Sequence, residues 1–243
     1  MRKEEIQEIA DRYQEEISLM EFKPFKVVMI LGAPIAFTQL LMFDGLLAYC
    51  SARKIMGDDF FVAQGQVNDD TFVDMPIPVK RSGKEKLYYC CSVAQYKGFR
   101  EFVVTWKKRW DDKYDEIVNF GGKKEVVNNK AGHFKSYNMP MVCRAVSKVW
   151  FYVYGNKEET LGLLRQYITH VGKGVSQGYG KVINIRVEDM INDYSCIMDK
   201  RLMRPIPQEE LAGIGIEAVE YQMMAYRPPY WLPANFTTCG VPS

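Results

Sequence analysis

Four glycines fall within nine residues of the stretch THVGKGVSQGYGKVINIRVE, residues 169–188: Gly172, Gly174, Gly178 and Gly180, with Lys173 and Lys181 among them. Glycine is costly to order, so a dense cluster marks a chain that takes unusual φ/ψ values or comes close to something. Successive glycine amides can bind phosphate oxygens. Lys173 and Lys181 add point charges, Ser176 and Gln177 add hydrogen-bond partners, and Tyr179 offers a face for stacking a base. Two nucleotide loops do not fit. A Rossmann loop needs G-x-G-x-x-G between a strand and a helix, whereas Gly172, Gly174 and Gly178 are spaced one residue too long and follow a helix. A P-loop needs a glycine five residues before Gly180 and a Ser or Thr after Lys181; the chain has Val175 and Val182. A backbone clamp for a polynucleotide and a purely structural turn stay open.

Other residues could join such a clamp. In TWKKRW, Lys107 and Arg109 share one strand face and Trp106, Lys108 and Trp110 the other. That arrangement suits a phosphate-tracking strip with stacking rings, or a strand edge kept soluble by lysines. The segment from 111 to about 140 is polar and locally basic through Lys123, Lys124, Lys130 and Lys135. It reads as an extended hairpin arm reaching over RNA, or as a solvated loop. In DKRLMRP, Arg201 and Arg204 could meet phosphate or a partner's carboxylates. His170, just before the loop, could serve as a general base for metal-independent RNA cleavage, with Tyr179 as acid and Lys173 stabilising charge. The plainer role is a helix-end histidine near the C-terminal dipole. His133 reads as solvated or near RNA. The carboxylates Asp58, Asp59, Asp69, Asp70 and Asp74 have no accompanying motif and read as loop and cap residues. No cysteine pair has C-x-x-C spacing, so neither a metal site nor a cofactor is expected.

These residues must be carried by ordered elements. An amphipathic helix is expected over residues 1–22, with Ile6, Ile9, Tyr13, Ile17 and Met20 at three-and-four spacing. It either packs on its own domain or docks a partner. KPFKVVMILGAP reads as a strand, and FDGLLAYCSARKIMG as a helix with Asp44 near its start and Gly57 as its stop. LYYCCSVAQY and FREFVVTWKKRW read as two strands of a hairpin around Lys97-Gly98, and MPMVCRAVSKVWFYVYG as one long strand. NKEETLGLLRQYITHVG reads as a helix stopped by Gly172, and KVINIRVEDM as the strand after the glycine loop. The order β-α-β-β-α-β predicts an α+β fold with a ferredoxin-like or RRM-like unit over 23–188, interrupted by a hairpin arm. Residues 189–243 form a C-terminal extension with a short helical QEELAGIG, a strand AVEYQMMAY and the tail RPPYWLP, which either closes the core or binds a partner.

The chain has 243 residues, 47% hydrophobic and 26% charged, with a net charge of only +2. That is an ordinary globular composition, so a nucleic-acid surface has to be a local patch. Six cysteines without a disulfide pattern, no apolar run of about 20 residues and an acidic N-terminal stretch lead to the expectation of a cytoplasmic protein with no membrane contact.

GKGVSQGYGKVINIRVE, placed after a helix and before a strand, resembles the glycine-rich loop of the RAMP superfamily of CRISPR-associated proteins. KPFKVVMILGAPIAF with FDGLLAYC, DYSCIMDKRLMRPIP and YRPPYWLPANFTTCGVP are similar to segments of the small RAMP subunit of type IV (Csf-type) effector complexes. The resemblance spans about 23 to 243; residues 1–21 lie outside it. It implies a subunit that binds the 5′ handle of the guide RNA (crRNA), caps the backbone filament beside a backbone RAMP subunit, and touches the large subunit. Target DNA within the complex is a further contact it raises. It implies no catalysis. A RAMP endoribonuclease that matures guide RNA is the competing expectation.

Overall fold

A computed structural model describes residues 2–37, 40–63, 72–111, 113–114, 128–212, 214, 216 and 220–242. In chain order the elements are α1 (Lys3–Ser18), β1 (Lys23–Leu31), β2 (Ile35–Ala36), α2 (Phe43–Met56), α3 (Asp59–Ala63), β3 (Arg81–Ser82), β4 (Tyr88–Tyr89), β5 (Arg100–Lys108) and β6 (Tyr137–Ala145). They continue with β7 (Lys148–Gly155), α4 (Lys157–Tyr167), β8 (Val182–Asp189), β9 (Ile197–Met198), β10 (Arg201–Leu202), β11 (Ile206–Pro207), β12 (Glu220–Ala225) and β13 (Phe236–Val241). The fold is α+β.

The central sheet runs β7-β1-β8, antiparallel throughout. Residues 90–95 extend it along the free edge of β7: Cys91 bridges Val153, Gln95 bridges Trp150, and the Ser92 amide donates to the Tyr152 carbonyl at 2.8 Å. Across the sheet the order is therefore β8, β1, β7, then 90–95, the ferredoxin-like arrangement of a β-α-β-β-α-β unit. Alternation sorts its two faces. Phe25, Val27, Met29 and Leu31 of β1, Val149, Phe151 and Val153 of β7, and Ile185 of β8 are buried with Phe43, Leu47 and Cys50 of α2 and Leu163 and Leu164 of α4. α4 starts where the Asn156 side chain accepts the Glu159 amide at 2.9 Å, an N-cap.

Two expected strands are rearranged. FREFVVTWKKRW does not pair with LYYCCSVAQY. Instead β5 pairs along its whole length with β6, from Arg100 opposite Ala145 to Lys108 opposite Tyr137. MPMVCRAVSKVWFYVYG is broken after Ala145, so that β6 joins this ribbon and β7 the central sheet. Valines and aromatics are concentrated in the β7 half, and local composition carries no record of which partner each half finds. The inserted ribbon thus begins at Arg100. β2 joins it through Ile35 opposite Arg144 and Ala36 opposite Cys143. The helix expected to stop at Gly172 ends at Tyr167, because residues 169–171 turn back to run against 180–182.

α1 packs on its own domain. Ala10, Tyr13 and Ile17 bury with Ile55 of α2 and Val73. The Tyr13 hydroxyl donates to Glu159 at 2.6 Å, and Lys54 reaches the same carboxylate at 2.7 Å. The C-terminal extension adds the sheet β11-β13-β12 and its own cluster of Tyr88, Leu202, Ile206, Leu211, Tyr226 and Cys239. Among the described residues no helix is long and apolar enough to cross a membrane.

Candidate nucleic-acid interface

All four glycines of the loop sit at positive φ, between 66° and 88°. Gly180 shows why the residue type matters: a Cβ there would stand 1.8 Å from the Val171 carbonyl oxygen. That close approach lets the Val171 amide bond the Gly180 carbonyl at 2.9 Å, while the Gly180 amide bonds Pro34 at 2.8 Å. The Lys173 amide bonds Ala36 at 2.6 Å, which ties the loop to β2 and so to the ribbon.

Only part of the loop's backbone is free to bind phosphate in the way expected of successive glycines. Those of Val171, Lys173, Gln177, Gly178 and Gly180 bond internal carbonyls. The opening lies at the tip. Gly174 is left-handed, with φ 70° and ψ 27°, and a single right-handed turn over Val175–Gln177 follows it. Such a left–right succession turns consecutive amides into one concavity suited to an anion. The amides of Gly174, Val175 and Ser176 take no acceptor among the described residues. Lys173, Ser176 and Gln177 are exposed at this tip, and Lys181 is exposed at the loop's base. Tyr179 is half-buried, packed on Ala36, Met141 and Cys143, so it is a brace under the loop more than an open stacking face.

The ribbon continues the surface. Phe102, Val104, Trp106 and Lys108 alternate onto one face, opposite Cys143, Met141, Met139 and Tyr137. Its base packs against Ala36 and Tyr179. Its outer half stays open: Trp106 is 38% and Met139 52% exposed, and the Trp106 and Tyr137 rings meet edge-on at 5.4 Å. Trp110 meets Phe134 at 4.9 Å. Lys107, Lys108 and Arg109 are exposed at the end of β5. Met139 and Tyr137 were not singled out in the sequence; the signal was the period-two pattern of residues 137–145, legible only once paired with β5. Lys123 and Lys124 lie outside the described residues, as do Asp69 and Asp70.

The two arginines of DKRLMRP part ways. Arg201 is exposed on β10. Arg204, expected at a phosphate or partner surface, is fully buried and is removed from that surface. Its guanidinium meets Asp44 at 3.1 Å and donates to the carbonyls of Tyr226 at 2.6 Å, Pro205 at 3.2 Å, Cys91 at 3.3 Å and Tyr89. Tyr230, from the aromatic tail, donates its hydroxyl to the same Asp44. Burial acts to lower the Arg204 pKa, but the Asp44 carboxylate together with Cys91, Tyr230 and Cys196 outweighs it, so the guanidinium stays charged. RPPYWLP therefore helps close the core through Tyr230, while Trp231 is 50% exposed.

The other chemical candidates are placed as follows. His170 faces Thr169 Oγ1 at 3.1 Å and lies opposite Lys181 across a β-bridge. Asp74 pairs with Arg81 at 3.6 Å and Arg227 at 3.8 Å. The thiols are free, and burial pushes Cys50 up to about 12 and Cys239 to about 11, outside the range of a reactive thiolate.

Comparison of the chain with curated proteins returns no match. A family model described as CRISPR type IV associated protein Csf3 matches residues 106–242, more than half of the chain. The matched span holds the end of β5, the return strand β6, β7, α4, the glycine loop, β8 and the C-terminal extension with Arg204 and Tyr230. The chain belongs to the Csf3 family of CRISPR type IV associated proteins.

Proposed function

We propose that the protein is a non-catalytic RNA-binding subunit of a type IV CRISPR ribonucleoprotein, and that its ligand is the 5′ handle of the guide RNA. The observation that carries this is the loop tip: three consecutive open amides at Gly174–Ser176 with exposed Lys173, Ser176 and Gln177, with Lys181 exposed at the loop's base and Trp106 and Lys107–Arg109 exposed on the ribbon. Amides and lysines hold phosphates, and the ribbon's rings hold unstacked bases. With the handle held there, the subunit caps the filament next to a backbone RAMP subunit and the large subunit, and target DNA in the complex is a further neighbour.

The test uses the purified full chain, labelled repeat RNA and EDTA, with native and denaturing gels in parallel. The expected result is a shifted, intact RNA. The Lys173→Ala/Lys181→Ala variant should bind more weakly, with its salt slope reduced by about 1.4, about 0.7 for each lost single-strand phosphate contact. Unchanged affinity and slope in the folded double variant would remove the loop from the interface. A discrete cleavage product that disappears in His170→Ala would move the protein to the competing endoribonuclease reading.

A further inference from the structure

The central sheet has a second face, opposite α2 and α4, and among the described residues no helix packs on it. The residues that alternate away from α2 and α4 form a grid set by the strand registers. Trp150 of β7 lies opposite Val28, and Val28 opposite Arg186 of β8; Tyr152 lies opposite Lys26, and Lys26 opposite Glu188; Lys148 lies opposite Ile30, and Ile30 opposite Asn184. Trp150 and Tyr152 are half-buried, while Lys148, Asn184, Arg186 and Glu188 are exposed. The rings are held in place. The Lys26 ammonium sits 5.6 Å from the Trp150 ring centre, and the Tyr194 ring meets Tyr152 edge-on at 5.7 Å.

The charges on this face point to its occupant. Its carboxylate, Glu188, is neutralised by Lys26 at 3.2 Å. Lys148 and Arg186 have no carboxylate within 4.0 Å among the described residues. The surface is thus two rings flanked by two uncompensated cations, which suits a polyanion carrying planar bases and not an apolar protein surface. Trp150 and Tyr152 are two residues apart on one strand, a rise of about 6.6 Å, close to the separation of successive bases in an extended, unstacked strand. The Lys148 row is the one nearest the glycine loop, since Leu31 bonds Ser147 and Gly32 bonds Lys181 at that end.

We propose that this helix-free face is a second nucleic-acid site, where two consecutive bases of an extended single strand stack on Trp150 and Tyr152 while Lys148 and Arg186 hold its phosphates. The site is distinct from the glycine loop and the ribbon and does not depend on the handle assignment.

The test is run on the full chain in two backgrounds, wild type and Lys173→Ala/Lys181→Ala, so that the loop and the platform are read separately. The probes are 12-nucleotide oligo(U) carrying 4-thiouridine and oligo(dT) carrying 4-thiothymidine. Photocrosslinks are expected on the tryptic peptide spanning residues 149–157 in both backgrounds. Trp150→Leu, which keeps an apolar cover over Val28, should weaken oligo(U) binding about 10-fold in the loop-disabled background. Lys148→Ala/Arg186→Ala, two exposed positions whose loss leaves the fold intact, should reduce the salt slope by about 1.4. Equal capture of oligo(dT) assigns the platform to single strands in general, and capture of oligo(U) alone assigns it to RNA; either supports the proposal. Crosslinks confined to the loop and ribbon, with unchanged affinity in Lys148→Ala/Arg186→Ala, would overturn it.

Discussion

The Arg204 hub and the tip of the glycine loop both gather cations and backbone polar groups, but they face opposite ways. At the hub, carbonyls of Tyr89, Cys91, Pro205 and Tyr226 and the carboxylate of Asp44 surround a guanidinium with no exposure. At the loop, the amides of Gly174, Val175 and Ser176 take no acceptor among the described residues and Lys173 and Lys181 are exposed. A buried cation closes the structure: it joins α2, strand 90–95 and the C-terminal extension in one cluster. An exposed cation is accessible to a ligand. Changes at the hub should therefore register as stability, and changes at the tip as affinity.

The hub offers the largest effect. Arg204→Met leaves Asp44 buried without its partner and should cost about 3–5 kcal/mol. Asp44→Asn should cost a comparable amount by stranding the guanidinium. The double variant should lose less than the sum of the two, because neither charge is then left alone. Urea denaturation of the four proteins measures the coupling. Additive losses would mean that the two groups act separately, and the contrast with the loop would fail.

Within the loop a second contrast separates shape from contact. Gly180→Ala places a Cβ against the Val171 carbonyl as well as forcing an L-residue to φ +66°, and should cost at least about 2 kcal/mol. Gly178→Ala, at φ +86° with nothing within 4 Å of the added carbon, should cost only about 1 kcal/mol. Thermal melts of the two variants test whether Gly180 holds the loop's base while Gly178 only lets it turn.

The same local-against-distant difference explains how much could be read in the chain beforehand. β1, α2, α4, β8 and the glycine loop were legible because each is specified by its own pattern: an apolar run between prolines in KPFKVVMILGAP, alternation in KVINIRVEDM, the apolar face of α4, glycines at the required turns. Which strands pair was not. Residues 139–155 read as one continuous strand, yet the chain breaks at Val146 and Ser147 and the two halves join different sheets. Arg201 and Arg204 sit in the same short motif, and Arg204 turns inward to acceptors distant in sequence, Asp44 160 positions away among them. The loop was visible as a candidate, but not which of its amides stay open, since that depends on Pro34 and Ala36 as acceptors.

The ribbon tests the surface side of the contrast. Trp106 is exposed beyond the packed base of the ribbon, so Trp106→Ala should leave the melting temperature nearly unchanged and weaken repeat-RNA binding by about 1–2 kcal/mol. Fluorescence anisotropy beside a thermal melt separates the two quantities. A large stability loss with unchanged affinity would place Trp106 with the hub instead of the loop.

The smallest expected effect lies where a charge is neither fully inside nor fully out, at the α1 docking site. Burial pushes the Glu159 carboxyl up, but the bonds from Lys54 and Tyr13 outweigh it and hold it below its ordinary value of 4.5. A depressed folded-state pKa contributes stability above the unfolded value, and that contribution is lost as the pH falls below about 4.5 and Glu159 is protonated. The pair is partly solvated, with Lys54 37% and Glu159 24% exposed, so the contribution should be only a few tenths of a kcal/mol to about 1 kcal/mol. Melts of the wild type and Glu159→Gln between pH 7 and pH 3.5 test it. The two curves should converge as the pH falls, because the variant has no carboxylate there to lose. A gap that stays constant across the range would mean that α1 is held by Tyr13 and Ile17 packing alone, with no share from the ion pair.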